Sequence, residues 1–207
     1  TVARYDTSGF YDPEQWRYDG DKKRNNIPWY TAHTKTLGKE LLLARRLCEA
    51  GCGFITIHSE FVWDFHADQN NVAIPEGQKL VIAPFDHAVS AFIEDCEQRG
   101  LSDDILLVCV GEMGRTPKIN AASGRDHWPT GFSLALAGGG FKGGHVHGAT
   151  DPTGISKEPQ NPIRIADIHS TVLSALGIEF EKEMMTPIGR PMALSKGNVI
   201  KSLLKNV

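Results

Sequence analysis

The sequence predicts an α/β fold with a mainly parallel sheet. Apolar runs that read as strands alternate with segments of helical periodicity, the order expected of βα units. The runs themselves ("GFITIH" from Gly53, "DILLVCVG" from Asp104, "FSLALAGGG" from Phe132) are apolar on both faces, as strands covered from both sides must be. Polar residues suited to chemistry gather just past the first two runs, where α/β sheets place their sites.

Residues 1–32 are polar, aromatic-rich and aperiodic, and read as an irregular arm suited to wrapping a neighbour. From His33 the pattern turns helical: Leu37, Leu41, Ala44 and Leu47 recur at three- and four-residue steps until Gly51 supplies a stop. "GFITIH" follows as the first strand, and a loop rich in His, Asp and Asn runs from Ser59 to about Gln78. Pro84 suits the first turn of a second helix, with Phe85, Ala88, Val89, Phe92, Ile93 and Cys96 on its apolar face and Gly100 at its end. The second and third strands come next, then a Gly- and Pro-rich crossing, the helix "IADIHSTVLSALG", and a last short helix near Asn198–Leu204. No internal repeat appears, and residues 33–207 read as one domain.

The charge balance excludes some functions. Lys plus Arg is 22 against 25 for Asp plus Glu, a formal net charge of -3, so no basic field exists to hold a nucleic acid. No apolar stretch is long enough to span a bilayer. Cys48, Cys52, Cys96 and Cys109 show neither C-x-x-C nor zinc-finger spacing, and read as buried or half-buried free thiols.

Two clusters could carry chemistry. In "VWDFHADQN", Asp64 and His66 lie two apart, so on extended backbone they share one face. A carboxylate and an imidazole converging in a loop suit a divalent ion such as Zn²⁺ or Mn²⁺. Asp68 and Asn70 continue the alternation, and a polar loop with local side-chain caps explains the cluster about as well. In "GEMGRTPKINAASGRDHWP", Gly111 and Gly114 flank Glu112 and allow close approach of a ligand. Arg115 and Arg125 suit bidentate contacts to phosphate or sulfate, and Asp126 and His127 add a carboxylate and an imidazole. Structural pairing of Glu112 with Arg115 is the plainer alternative.

Elsewhere, Gly138, Gly140 and Gly143 match G-x-G-x-x-G, yet "HVHGATDPTG" follows and cannot open the helix that a dinucleotide site needs. His145 and His147 read as solvated surface, His169 as a partly buried helix residue, and His58 as a weak candidate.

The segments "LLLARRLCEAG", "WDFH", "GEMGRTPKINAASGRDHWP", "LAGGGFKGG", "GATD" and "IADIHSTVLSALGI" resemble, in this order, the bacterial family named domain of unknown function 1501. The resemblance covers roughly residues 36–205. That family is similar to a sulfatase-like branch of the alkaline phosphatase superfamily, often exported, so a periplasmic or exported location is implied. The resemblance implies a three-layer α/β/α sandwich and hydrolysis of a small anionic ester, phosphate or sulfate, at a centre holding Zn, Mn or Ca. Asp64, His66 and His127 match one metal site; Glu112 stands where a second would be fed, although Met113 replaces the histidine of that motif. Arg115 or Arg125 would neutralise the anion. The superfamily places its nucleophile in an N-terminal half with no counterpart here, so the chain is expected to be a C-terminal portion completed by that half. A non-catalytic relic or interaction module of the same fold is the alternative.

Overall fold

Pro28 fixes the first turn of a long helix, α1 (Ile27–Glu49), because its missing N–H is one that a helix start leaves unbonded anyway. The helix therefore begins six residues before the periodicity at His33, and the expected arm ends earlier. At the far end Gly51 takes a positive φ of 96° and the Cys52 N–H bonds back to the Leu47 carbonyl, the stop expected from Gly51. The structure is a computed structural model and describes residues 2–14, 26–58, 63–153, 155–156 and 158–205. Positions 15–25 of the expected arm and 59–62 of the first polar loop lie outside them.

Residues read as the end of a loop are helical. A short α2 (Ile74–Gly77) runs through a π-helical stretch (Gln78–Ile82) into α3 (Ala83–Gln98). The wide turns precede Pro84, which cannot donate to the carbonyl four residues back at Leu80. The buried Thr34 hydroxyl of α1 donates to that carbonyl instead. The missing helical bond becomes a tie between helices.

Tyr30, Phe65, Val72, Leu80 and Val81 form the core beneath these helices. His33 is buried with them; desolvation lowers its pKa to about 4, against a partly offsetting hydrogen bond to the Val81 backbone. A charged network lies further along. Asp95, on α3, is ion-paired to Arg45 Nε at 2.6 Å and Arg99 Nε at 2.9 Å, and accepts from the Tyr5 hydroxyl at 3.1 Å. Burial pushes the Asp95 carboxyl up, but the hydrogen bonds of Arg99 and Tyr5 and the charge of Arg45 hold it below its usual range. Tyr5 is itself buried, so the start of the expected arm packs on α1 and α3 of its own chain.

The chain divides into two compact units: residues 1–101 with 113–129, and residues 102–112 with 130–207. In the second, β1 (Leu106–Cys109) pairs antiparallel with β4 (Ala135–Gly138), Leu106 facing Gly138. Helix α4 (Ile165–Ala175) carries the buried Ser170 and Thr171. The Ser170 hydroxyl bonds the Ser195 hydroxyl at 2.8 Å, and the Ile200 N–H bonds Thr171 Oγ1 at 2.9 Å, strapping the C-terminal segment to the helix. The hairpin β5 (Glu183–Met185) and β6 (Pro191–Ala193) follows, and the last expected helix is one 3-10 turn, Lys201–Leu203.

Every strand pair among the described residues is antiparallel, so these pairs do not form the mainly parallel sheet expected. The run Gly53–His58, read as a buried strand, pairs with nothing among the described residues, and Phe54 is 89% exposed. A run can be apolar and β-branched, but a strand also needs a neighbour to pair with. No helix among the described residues is long and apolar enough to cross a membrane.

Candidate metal centre

Asp64, His66, Arg115 and His127 all lie in the first unit. Asp64 and His66 flank Phe65, and the alternation of extended backbone sorts them. Phe65 turns into the core, where its ring lies so close over Gly77 that a Cβ there would fall 2.5 Å from it. Asp64 and His66 turn to the opposite face together, and Tyr30 fastens the segment by donating to the Asp64 carbonyl at 2.7 Å. Burial, then the Asp64 charge, push the Tyr30 phenol far above its ordinary pKa, so it stays a donor.

The second loop brings its residues by register. β2 (Gly114–Arg115) pairs antiparallel with β3 (His127–Trp128), and Arg115 lies directly opposite His127, so both side chains leave one face of the ribbon. Trp128 is buried behind them.

Three contacts join this hairpin to the first loop. The Arg125 N–H donates to the Phe65 carbonyl at 2.8 Å, and Asn120 Nδ2 donates to the His66 carbonyl at 2.9 Å. Gly124 passes so near that a Cβ on it would fall 2.1 Å from the His66 carbonyl oxygen. Glycine is required there for space.

The result is a cluster on one carboxylate oxygen. His66 Nε2 lies 2.8 Å from Asp64 Oδ1, Arg115 Nη1 2.8 Å, and His127 Nε2 3.2 Å. The two imidazole rings tilt at 54° with centroids 4.6 Å apart. One ligand atom from each of Asp64, His66 and His127 falls within 4.8 Å of the others, the one group of three such residues among those described that could hold an ion. Asp64, His66 and Arg115 side chains are 18–20% exposed and His127 53%, so the cluster is reachable from one side.

The donor set fits a borderline divalent ion: two imidazole nitrogens and one carboxylate oxygen, with room for further ligands on the open side. Both rings present Nε2 inward. His66 Nδ1 faces Asp126 Oδ1 at 3.4 Å, and Asn120 Nδ2 holds that same oxygen at 3.2 Å. A carboxylate on the remote nitrogen orients a ligating ring and leaves Nε2 its lone pair.

Other candidates take different places. Arg125 donates Nη1 to the Thr116 and Pro117 carbonyls at 2.6 and 2.8 Å and braces the loop of residues 116–126. Glu112 is exposed and belongs to the second unit. Asp68 does not join the cluster: burial pushes its carboxyl up, but the Asn70 and Asn71 N–H groups, both at 2.8 Å, and the Asn71 side chain hold it below its usual range as a loop cap. His58, His145, His147 and His169 are exposed, His169 against expectation. Sequence reasoning missed Tyr30 and Asn120. The Asn-x-x-x-Gly spacing was the available signal for Asn120, whose Oδ1 caps Gly124 at 2.8 Å.

The chain matches, over residues 19–204, the family described as Protein of unknown function (DUF1501), and it belongs to that family. No curated protein and no solved structure matches it.

Proposed function

We propose that this chain is part of a metal-dependent hydrolase of phosphate or sulfate esters, of the sulfatase-like branch of the alkaline phosphatase superfamily. One observation carries the reading: two imidazole Nε2 atoms and a carboxylate oxygen, from loops 61 residues apart in sequence (His66 to His127), converge within 4.8 Å. Asp64, His66 and His127 would hold a zinc, manganese or calcium ion. When bound, such an ion supplies Lewis-acid polarisation of an ester oxygen. Asp126 and Asn120 orient the His66 ring, and Tyr30 fixes the backbone of Asp64. Arg115 provides a positive charge at the cluster for an anionic substrate. The same reading takes a mainly parallel α/β/α sandwich as the complete fold, in which the unpaired run 53–58 gains strand partners from an N-terminal half. It also takes Glu112 toward a second ion and an exported location.

Metal content of the purified protein, measured by elemental analysis after dialysis, tests the assignment. About one divalent ion per chain is expected, lost in both His66→Ala and His127→Ala. Full metal content in both variants would reject it, and hydrolysis of generic phosphate and sulfate esters by the complete protein then tests the activity.

One observation favours the other reading, a non-catalytic interaction module. Arg115 already neutralises Asp64 at 2.8 Å, so the cluster can stand as an internal ion pair. On that reading metal is absent and neither ester class is cleaved.

A further inference from the structure

Three atoms of the cluster make contacts that cannot all be satisfied together. Arg115 Nη1 lies 2.8 Å from Asp64 Oδ1 and 3.1 Å from His66 Nε2, and those two atoms are 2.8 Å apart. A guanidinium only donates. Facing Arg115, His66 Nε2 must therefore offer its lone pair. Facing an ionised carboxylate, which only accepts, the same nitrogen must offer a proton. One ring nitrogen cannot do both. If it carries a lone pair, it faces the Asp64 lone pairs; if it carries a proton, it faces the Arg115 proton.

A cation bound by Asp64 Oδ1 and His66 Nε2 removes the conflict, because both then direct lone pairs at one positive centre. Arg115 Nη1 is the positive group now reaching those two atoms. Two positive centres cannot share them, because at about 3 Å they repel each other even at the effective dielectric of a protein surface.

We propose that Arg115 is an internal, displaceable cation of this site. Its guanidinium and a divalent ion compete for Asp64 Oδ1 and His66 Nε2, so that metal entry turns Arg115 out toward the open side. Once released, the guanidinium keeps its five donors and has lost its carboxylate, which makes it a receptor for an oxyanion of the phosphate or sulfate class. Metal and oxyanion occupancy are thereby coupled, each favouring the other, as linkage requires. The inference rests on the metal reading of the preceding subsection. It adds that Arg115 is bound to Asp64 before the ion arrives and to the anion afterwards.

Isothermal titration of the full chain with Zn²⁺, at one fixed pH and low salt, tests the coupling. Arg115→Met keeps the side-chain stem and removes the charge. It is expected to bind Zn²⁺ roughly tenfold more tightly than the unaltered protein, and Arg115→Lys, which restores a point charge, to return most of that difference. Inorganic phosphate is expected to tighten Zn²⁺ binding by the unaltered protein roughly fivefold and to have no effect on Arg115→Met. Unchanged or weaker Zn²⁺ binding by Arg115→Met overturns the proposal. The titrations with and without phosphate need no variant, so the proposal is exposed even if Arg115→Met fails to fold; absence of a phosphate effect overturns it alone. If the unaltered protein and Arg115→Met both fold and neither binds Zn²⁺, the metal reading falls and takes this inference with it.

Discussion

In the first unit Tyr30, Val72, Leu80 and Val81 are sealed from solvent, and even the charges of Arg45 and Asp95 are buried among partners. In the second unit Met184, Met185, Ile188 and Met192 all stand in solvent on a two-stranded hairpin, with Met184 directly opposite Met192. The buried groups of α4, Ser170 and Thr171, are polar and serve as straps. Helices close a core with their own side chains once two of them cross, whereas a strand pair has two faces and two edges and closes neither by itself. The candidate centre sits in the unit that holds most of the buried hydrophobic side chains.

Removing Asp95 should expose this contrast most strongly. Asp95→Ala leaves Arg45 and the Tyr5 hydroxyl without their buried partner, and a cost of about 3–5 kcal/mol is expected in the first unit. Native-state hydrogen exchange should show the loss in α1 and α3 amides while α4 keeps its protection. Equal loss in α4 would mean that the two units unfold as one.

A middle-sized effect is expected from His33. Unfolded, its ring gains a proton near pH 6.5; folded, only near 4. Between those values the unfolded chain binds the extra proton, so the contribution is whole above about 6.5, declines as pH falls through the window, and levels off below about 4. Urea titrations at pH 7 and pH 5 should differ by about 2 kcal/mol from this group, and His33→Leu should flatten that difference. An unchanged pH response in the variant would place the sensitivity elsewhere.

The smallest effect belongs to the hairpin. Met184→Ser should alter stability by no more than about 0.5 kcal/mol, read from the same denaturation midpoint, because more than half of the residue stands in solvent. A loss above about 1 kcal/mol would show that this face is covered in solution.

Much of this was visible in local pattern. Gly51 as a helix stop, the apolar stripe of α3 beyond Pro84 (except Ile93, which is exposed), the strands at 106–109 and 135–138 and the helix at 165–175 all follow from periodicity and turn chemistry within a few residues. The shared face of Asp64 and His66 follows from a spacing of two. What local pattern could not give depends on distant partners. The run 53–58 has a strand's composition, but whether it is paired is decided by other strands. Residues 74–78 read as the end of a loop; they are helical, packed against the Phe65 ring at Gly77 and followed by the Thr34 tie at Leu80. Arg115 looks free for an anion, and only the strand register that sets it opposite His127, with Asp64 arriving from another loop, shows that a carboxylate holds it first.

The Tyr30 hydroxyl reaches from the middle of the helical interior to the backbone of Asp64. The position of the carboxylate is therefore inherited from the hydrophobic packing beneath it. Sequence drift that loosened that packing would blunt the cluster's grip on any ligand before it unfolded the chain, so selection for affinity here would also conserve residues that never meet solvent.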